Sequence, residues 1–143
     1  MSSDDLSETL ATGATLVSDG LAPAGPAPAR WERACLLADL FPERGSAALF
    51  GDVQVALFLL PDGKVHAVQN LDPFSGAHVM SRGIVGTRAG EPTVAAPVYK
   101  QVFSLVTGEC LAVADKVPQG TLAPNLLTYQ VKIQDGAIHV ALP

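Results

Sequence analysis

The chain has 143 residues and a mass of 14.8 kDa, with 48% hydrophobic against 16% charged residues. That balance favours one folded domain with a real core over disorder. A net charge of −5 and a pI near 4.9, with nine scattered Lys and Arg, argue against a nucleic-acid partner, whose phosphates must be met by clustered cations. The longest apolar stretch, residues 53–60 with Gln54 inside it, falls far short of the roughly 20 residues a membrane helix needs.

Residues 1–29 open on Met1-Ser2-Ser3-Asp4-Asp5, acidic where a secretory signal is basic, so a cytoplasmic location is expected. They finish in Ala22-Pro23-Ala24-Gly25-Pro26-Ala27-Pro28, whose prolines donate nothing to a ladder and favour extended backbone. The expected organisation is a flexible tail over 1–29 and one domain over 30–143. Residues 34–41 have room for a turn or two of helix, ended by Pro42. Residues 47–50 and 53–60 read as strands parted by Gly51-Asp52, and Pro61-Asp62-Gly63 hands the second on to residues 64–68 as a hairpin. Short runs rich in Val and Phe follow at 93–97 and 102–105. Leu127, Tyr129, Val131 and Ile133 then alternate with polar neighbours, the period of a half-buried strand, and Asp135-Gly136 turns that strand into residues 137–142. Many short strands with Gly and Asp turns define an all-β sandwich or small barrel.

Chemistry-bearing motifs are scarce. Cys35 and Cys110 have no neighbouring cysteine for a redox or zinc motif, and both are expected to be buried free thiols. His66, His78 and His139 are isolated in sequence, which leaves a zinc site open only if distant residues assemble it. Ser75-Gly76 lacks the Gly-x-Ser-x-Gly nucleophile elbow, and no Cys or Ser is set with a His and an acid in a pattern that suggests a triad. Gly83-Ile84-Val85-Gly86 lacks the Gly-Lys-Ser/Thr ending of a phosphate loop.

Two segments carry a pattern instead. The first is Asp72-Pro73-Phe74-Ser75-Gly76-Ala77-His78-Val79; the second is Ala96-Pro97-Val98-Tyr99-Lys100-Gln101-Val102-Phe103-Ser104-Leu105, closing at Thr107-Gly108. They resemble the two cluster-binding loops of Rieske ferredoxins, Cys-Pro-His-x-Gly-Ala-x-Leu and Cys-Pro-x-His-Gly-x-x-Phe-x-Leu. In that frame the four ligand positions fall on Asp72, Phe74, Ala96 and Tyr99. A Rieske centre needs two thiolates and two imidazoles, so the frame is kept and the ligands are gone. The wording of both loops, with Asn70-Leu71 before the first and Ser81-Arg82-Gly83-Ile84-Val85-Gly86 between them, resembles the small subunit of assimilatory NAD(P)H-dependent nitrite reductase. That resemblance spans about four-fifths of the chain. It implies an antiparallel Rieske-like β-sandwich without a bound cofactor or a catalytic residue. It also implies a large-subunit partner carrying FAD, siroheme and an iron–sulfur cluster, which reduces nitrite to ammonium in nitrate assimilation.

Each singled-out residue also has a plainer reading. Asp72 before Pro73 is expected to form an Asx turn, the alternative being contact with the partner subunit. Phe74 and Tyr99 are expected to fill the vacated cluster space as an aromatic plug. Arg82, Lys100 and Gln101 are the interface candidates, the alternative being solvated loop side chains. Two further functions stay open: a Rieske-like ferredoxin that recruits a metal through distant residues, and an interaction module unrelated to nitrite.

Overall fold

The computed structural model describes residues 30–113 and 115–143; the expected tail over 1–29 lies outside the described residues. The strands run in the order β1 (Arg30–Leu36), β2 (Gly45–Phe50), β3 (Val53–Leu59), β4 (Val65–Gln69), β5 (Ile84–Arg88) and β6 (Glu91–Ala95). They continue as β7 (Val102–Ser104), β8 (Cys110–Ala112), β9 (Thr128–Tyr129), β10 (Val131–Gln134) and β11 (Ala137–Leu142). Short 3₁₀ turns lie at Leu37–Asp39 and Met80–Arg82. Three antiparallel sheets result, ordered β9-β4-β3-β2, β10-β11-β1 and β5-β6-β7-β8. The all-β expectation holds.

Strand β3 explains the long apolar run of the sequence. Its side chains alternate between two cores: Ala56 and Phe58 pack with Val68, Met80, Val94, Phe103 and Leu105, while Val55 and Leu57 pack with Ala67, Ile138, Val140 and Leu142. A strand covered on both faces has no polar side, so the usual alternation is absent. The β3–β4 hairpin forms as expected, with the Lys64 N–H donating to Asp62 Oδ1 at 3.0 Å and Gly63 at φ +89. Gly45 is required by close approach, since a Cβ there would lie 2.0 Å from the Ser81 carbonyl oxygen. This contact seats the Met80–Arg82 turn against β2.

Three expectations are corrected. Residues 34–36 belong to β1 and only Leu37–Asp39 turns, as 3₁₀ rather than α-helix. The single alternating strand at 127–134 is two strands: β9 pairs with β4, and β10 pairs with β11 in another sheet. The break falls at Gln130, whose carbonyl accepts the Ala141 N–H at 3.0 Å. Strands β5 and β8 gave no clear signal in the sequence. Cys35 and Cys110 are free thiols but only partly buried, each pushed above its ordinary pKa chiefly by that burial.

Candidate functional site

The first loop leaves β4 at Asn70 and returns at the 3₁₀ turn. Asn70 braces its base: Oδ1 accepts the Ser81 N–H at 2.8 Å, and Nδ2 donates to the His78 carbonyl and to Gln54 Oε1, each at 3.2 Å. Asp72 is fully buried and uses both carboxylate oxygens locally, taking the Phe74 N–H at 2.9 Å and the Ser75 hydroxyl at 2.8 Å. Its backbone closes the same turn, the Asp72 N–H donating to the Ala77 carbonyl and the Gly76 N–H to the Asp72 carbonyl, both at 2.8 Å. This is the expected Asx turn, reinforced by a serine. Gly76, at φ +77, lets the chain reverse.

The second loop links β6 to β7. The Lys100 N–H donates to the Ala96 carbonyl at 3.1 Å, and the Ala96 N–H to the Gln101 carbonyl at 2.8 Å. Lys100 stands where the Rieske pattern has glycine and keeps a positive φ of 68°. Here the expected plug divides. Phe74 is 1% exposed and its ring lies 6.2 Å from Phe103, tilted by 52°. Tyr99, by contrast, is 37% exposed, with Lys116 Nζ 4.7 Å from its ring centroid. Phe74 is therefore the aromatic buried at this tip, packed against Phe103, and Tyr99 belongs to the surface. Gln101 is also corrected as an exposed interface candidate: it is fully buried, donating from Nε2 to the Val113 carbonyl at 3.3 Å while its Oε1 has no partner among the described residues. Arg82 and Lys100 are exposed, as expected.

A third segment, between β8 and β9, completes the tip. The Gln119 N–H donates to the Pro73 carbonyl at 2.8 Å and its Nε2 to the Phe74 carbonyl at 3.2 Å, clasping the first loop. The segment's far end is fixed by the Leu126 N–H donating to the Gly108 carbonyl at 2.8 Å; a Cβ on Gly108, at φ +80, would lie 2.1 Å from the Leu126 carbonyl oxygen. Gln119 and Asn70 were invisible as site residues in the sequence, because each is a lone amide whose partners lie elsewhere in the chain. The Pro118-Gln119-Gly120 run signalled no more than a loop.

A Rieske cluster does not fit these residues. Phe74 and Ala96 offer hydrocarbon, both Asp72 oxygens are committed to the turn, and a phenol replaces an imidazole at Tyr99. The Cys110 thiol packs against the core beside the loops, whereas Cys35 packs against the other core, so no thiolate pair meets there. Among the described residues no group of three or more His, Cys, Asp or Glu comes together as a metal site, and no helix is long and apolar enough to cross a membrane. What the arrangement offers is a tip of three loops closed by their own hydrogen bonds.

Residues 30–141 match the Rieske-like [2Fe-2S] domain family, and the sheets and paired loops place the chain in that class. A crystal structure described as an NADH-dependent nitrite reductase small subunit from Mycobacterium tuberculosis is 46% identical, with a TM-score of 0.68 over 80% of this chain and 96% of that one. The nitrite reductase (NADH) small subunit of Escherichia coli K12 is 34% identical over 112 residues, 78% of this chain and 96% of its own. The chain belongs to the family of nitrite reductase NAD(P)H small subunits. It also matches the nitrite reductase [NAD(P)H] large subunit of Klebsiella oxytoca, 37% identical over 111 residues that make up 77% of this chain but 11% of that longer one.

Proposed function

We propose that this chain works as the non-catalytic small subunit of an NAD(P)H-dependent nitrite reductase complex, which reduces nitrite to ammonium in the cytoplasm during nitrate assimilation. The observation that carries this reading is the family match over nearly the whole described domain, joined to the Klebsiella oxytoca large subunit. A matching segment within a large-subunit polypeptide is held there at a high effective concentration relative to the rest of that protein.

By family resemblance the large subunit carries FAD, siroheme and an iron–sulfur cluster, and this chain carries none of them. Its residues support that division of labour. The four former ligand positions supply no thiolate or imidazole, and the loops that would hold a cluster are closed by Asp72, Ser75 and Gln119. A chain without a hydride or electron carrier has no means of passing reducing equivalents itself. The isolated chain is therefore inactive, and it acts by binding its partner.

The test is co-purification with the cognate large subunit, followed by nitrite-dependent NAD(P)H oxidation with and without this chain. The expected result is a complex whose activity or thermal stability exceeds that of the large subunit alone. A large subunit that neither binds the chain nor changes in activity or stability would remove this reading and leave the Rieske-like fold.

A further inference from the structure

We propose that the loop tip, built from Val98, Tyr99, Lys100, Lys116 and Val117, is the face that docks the large subunit, and that it takes an apolar patch bordered by Asp and Glu. The inference rests on the complex proposed above and specifies which surface makes it. Three observations point to this face.

The first is apolar exposure at the tip. Val117 is 78% exposed, and Val98 and Tyr99 also face solvent. Lys116 lies over the Tyr99 ring and so brings the third segment, with Val117 next in sequence, beside the second loop. Exposed apolar residues gathered on one rigid surface mark an interaction site more than scattered ones do, and an aromatic at such a centre is the usual anchor.

The second is charge. All nine Lys and Arg lie from Arg30 onward, and the acids there outnumber them by one, since four of the fourteen (Asp4, Asp5, Glu8 and Asp19) precede it. Against that slightly acidic domain, the tip presents Lys100 and Lys116 with Asp115 as the acid in the same stretch. A locally cationic rim on an acidic protein selects a partner surface of the opposite sign.

The third is the backbone of Lys100. At φ +68 it occupies a region that glycine enters at less cost. Its side chain is exposed and makes no hydrogen bond or ion pair among the described residues. A cation held in a disfavoured conformation at the tip is explained by what it meets there. The second loop is closed by the Ala96 and Lys100 backbone bonds, and the third segment is tied at Gln119 and Leu126, so docking orders little of that backbone and loses correspondingly little affinity.

The experiment measures the affinity of the full chain for its purified, cofactor-loaded large subunit at low and moderate salt. Val117→Asp and the double variant Lys100→Glu with Lys116→Glu are compared with Ile133→Asp. Ile133 is an exposed residue of β10, in the sheet that packs on the side of the central sheet away from the loops. The tip variants should each weaken binding by about tenfold or more, with unchanged thermal midpoints. The double charge variant should also lose most of the salt dependence seen with the wild-type chain, and Ile133→Asp should bind as wild type. If the wild-type chain binds and the tip variants bind equally well, or Ile133→Asp is as damaging as they are, the docking face is wrong while the complex stands. If the wild-type chain does not bind at all, both proposals fall.

Discussion

Replacing Phe74 by alanine is the sharpest test of how this fold closes its tip. The ring is 1% exposed and belongs to a core that also contains Phe58, Met80, Val94, Phe103 and Leu105. Burying a large apolar side chain contributes about 1.5–3 kcal/mol by transfer alone. The vacated volume adds to this in proportion to how little the surroundings can collapse. Here collapse is restricted, because the Phe74 N–H is held by Asp72 and its carbonyl by Gln119, while the opposing Phe103 is fixed within β7. Phe74→Ala should therefore cost about 3–5 kcal/mol. In a domain of this size that corresponds to a fall of roughly 10–20 °C in melting temperature. Urea unfolding followed by tryptophan fluorescence and circular dichroism measures it, with an unchanged m-value as the sign that the same cooperative transition is being compared. Tyr99→Ala, at a half-exposed ring, should cost less than about 1 kcal/mol. A loss below about 1 kcal/mol for Phe74→Ala, or equal losses for the two variants, would refute the assignment of Phe74 and not Tyr99 as the filling group.

Three more outcomes follow from named contacts. Asp72→Ala strands the buried Phe74 N–H and Ser75 hydroxyl and should destabilise by about 1–3 kcal/mol, whereas Asp72→Asn, which keeps Oδ1 as acceptor, should cost less; equal unfolding curves for all three proteins would show that the turn bonds hold nothing. Burial, and then the cross-strand Lys132 ammonium with a smaller contribution from Arg33, holds the His139 imidazole below its usual pKa of 6.5, against the opposing pull of Asp135 and a backbone bond with Ala137. The unfolded chain thus takes up the proton first as pH falls, so this stability is complete above pH 6.5 and is lost as pH drops through the lowered folded value. His139→Gln should flatten the decline measured between about pH 7.5 and 5, leaving the part of the same sign due to His66, itself lowered mainly by burial; an unaltered slope would exclude His139 as its source. A chain beginning at Arg30 should melt at nearly the same temperature as the full chain, since residues 1–29 offer little apolar surface and precede the family match; a much lower midpoint or aggregation would contradict that reading.

Much of this fold was legible because its signals are local. Pro61-Asp62-Gly63 and Asp135-Gly136 specify their turns within a few residues, and the flanking strands at 53–59, 65–69 and 137–142 follow from composition alone. The failures share a physical cause in long-range structure. Residues 127–134 alternate without interruption, so periodicity gives one strand; the change of sheet at Gln130 depends on Ala141, which no local pattern encodes. Strand β5 contains Gly86 and two polar residues and is mostly exposed, so it forms by pairing with β6 more than by its own propensity. At the tip, the loop wording located the two turns and the turn role of Asp72. It could not show which aromatic points inward, because both rings can be buried or exposed and the choice lies in each loop's closing geometry. Gln101 was misplaced for the same reason: an amide beside a lysine reads as surface until Val113 is brought over it.

The two-sided burial of β3 bears on how an event at one end of the molecule reaches the other. With Ala56 and Phe58 in one core and Val55 and Leu57 in the other, neither half can come apart without stripping this strand of one of its covers. The described domain is therefore expected to open as a single unit, with the β3 amides exchanging mainly through global opening. A ligand held by the loops alone raises the free energy of that opening for every residue that shares it. Protection gained on complex formation at the proposed face would then register in β10 and β11, on the far side of the central sheet from it.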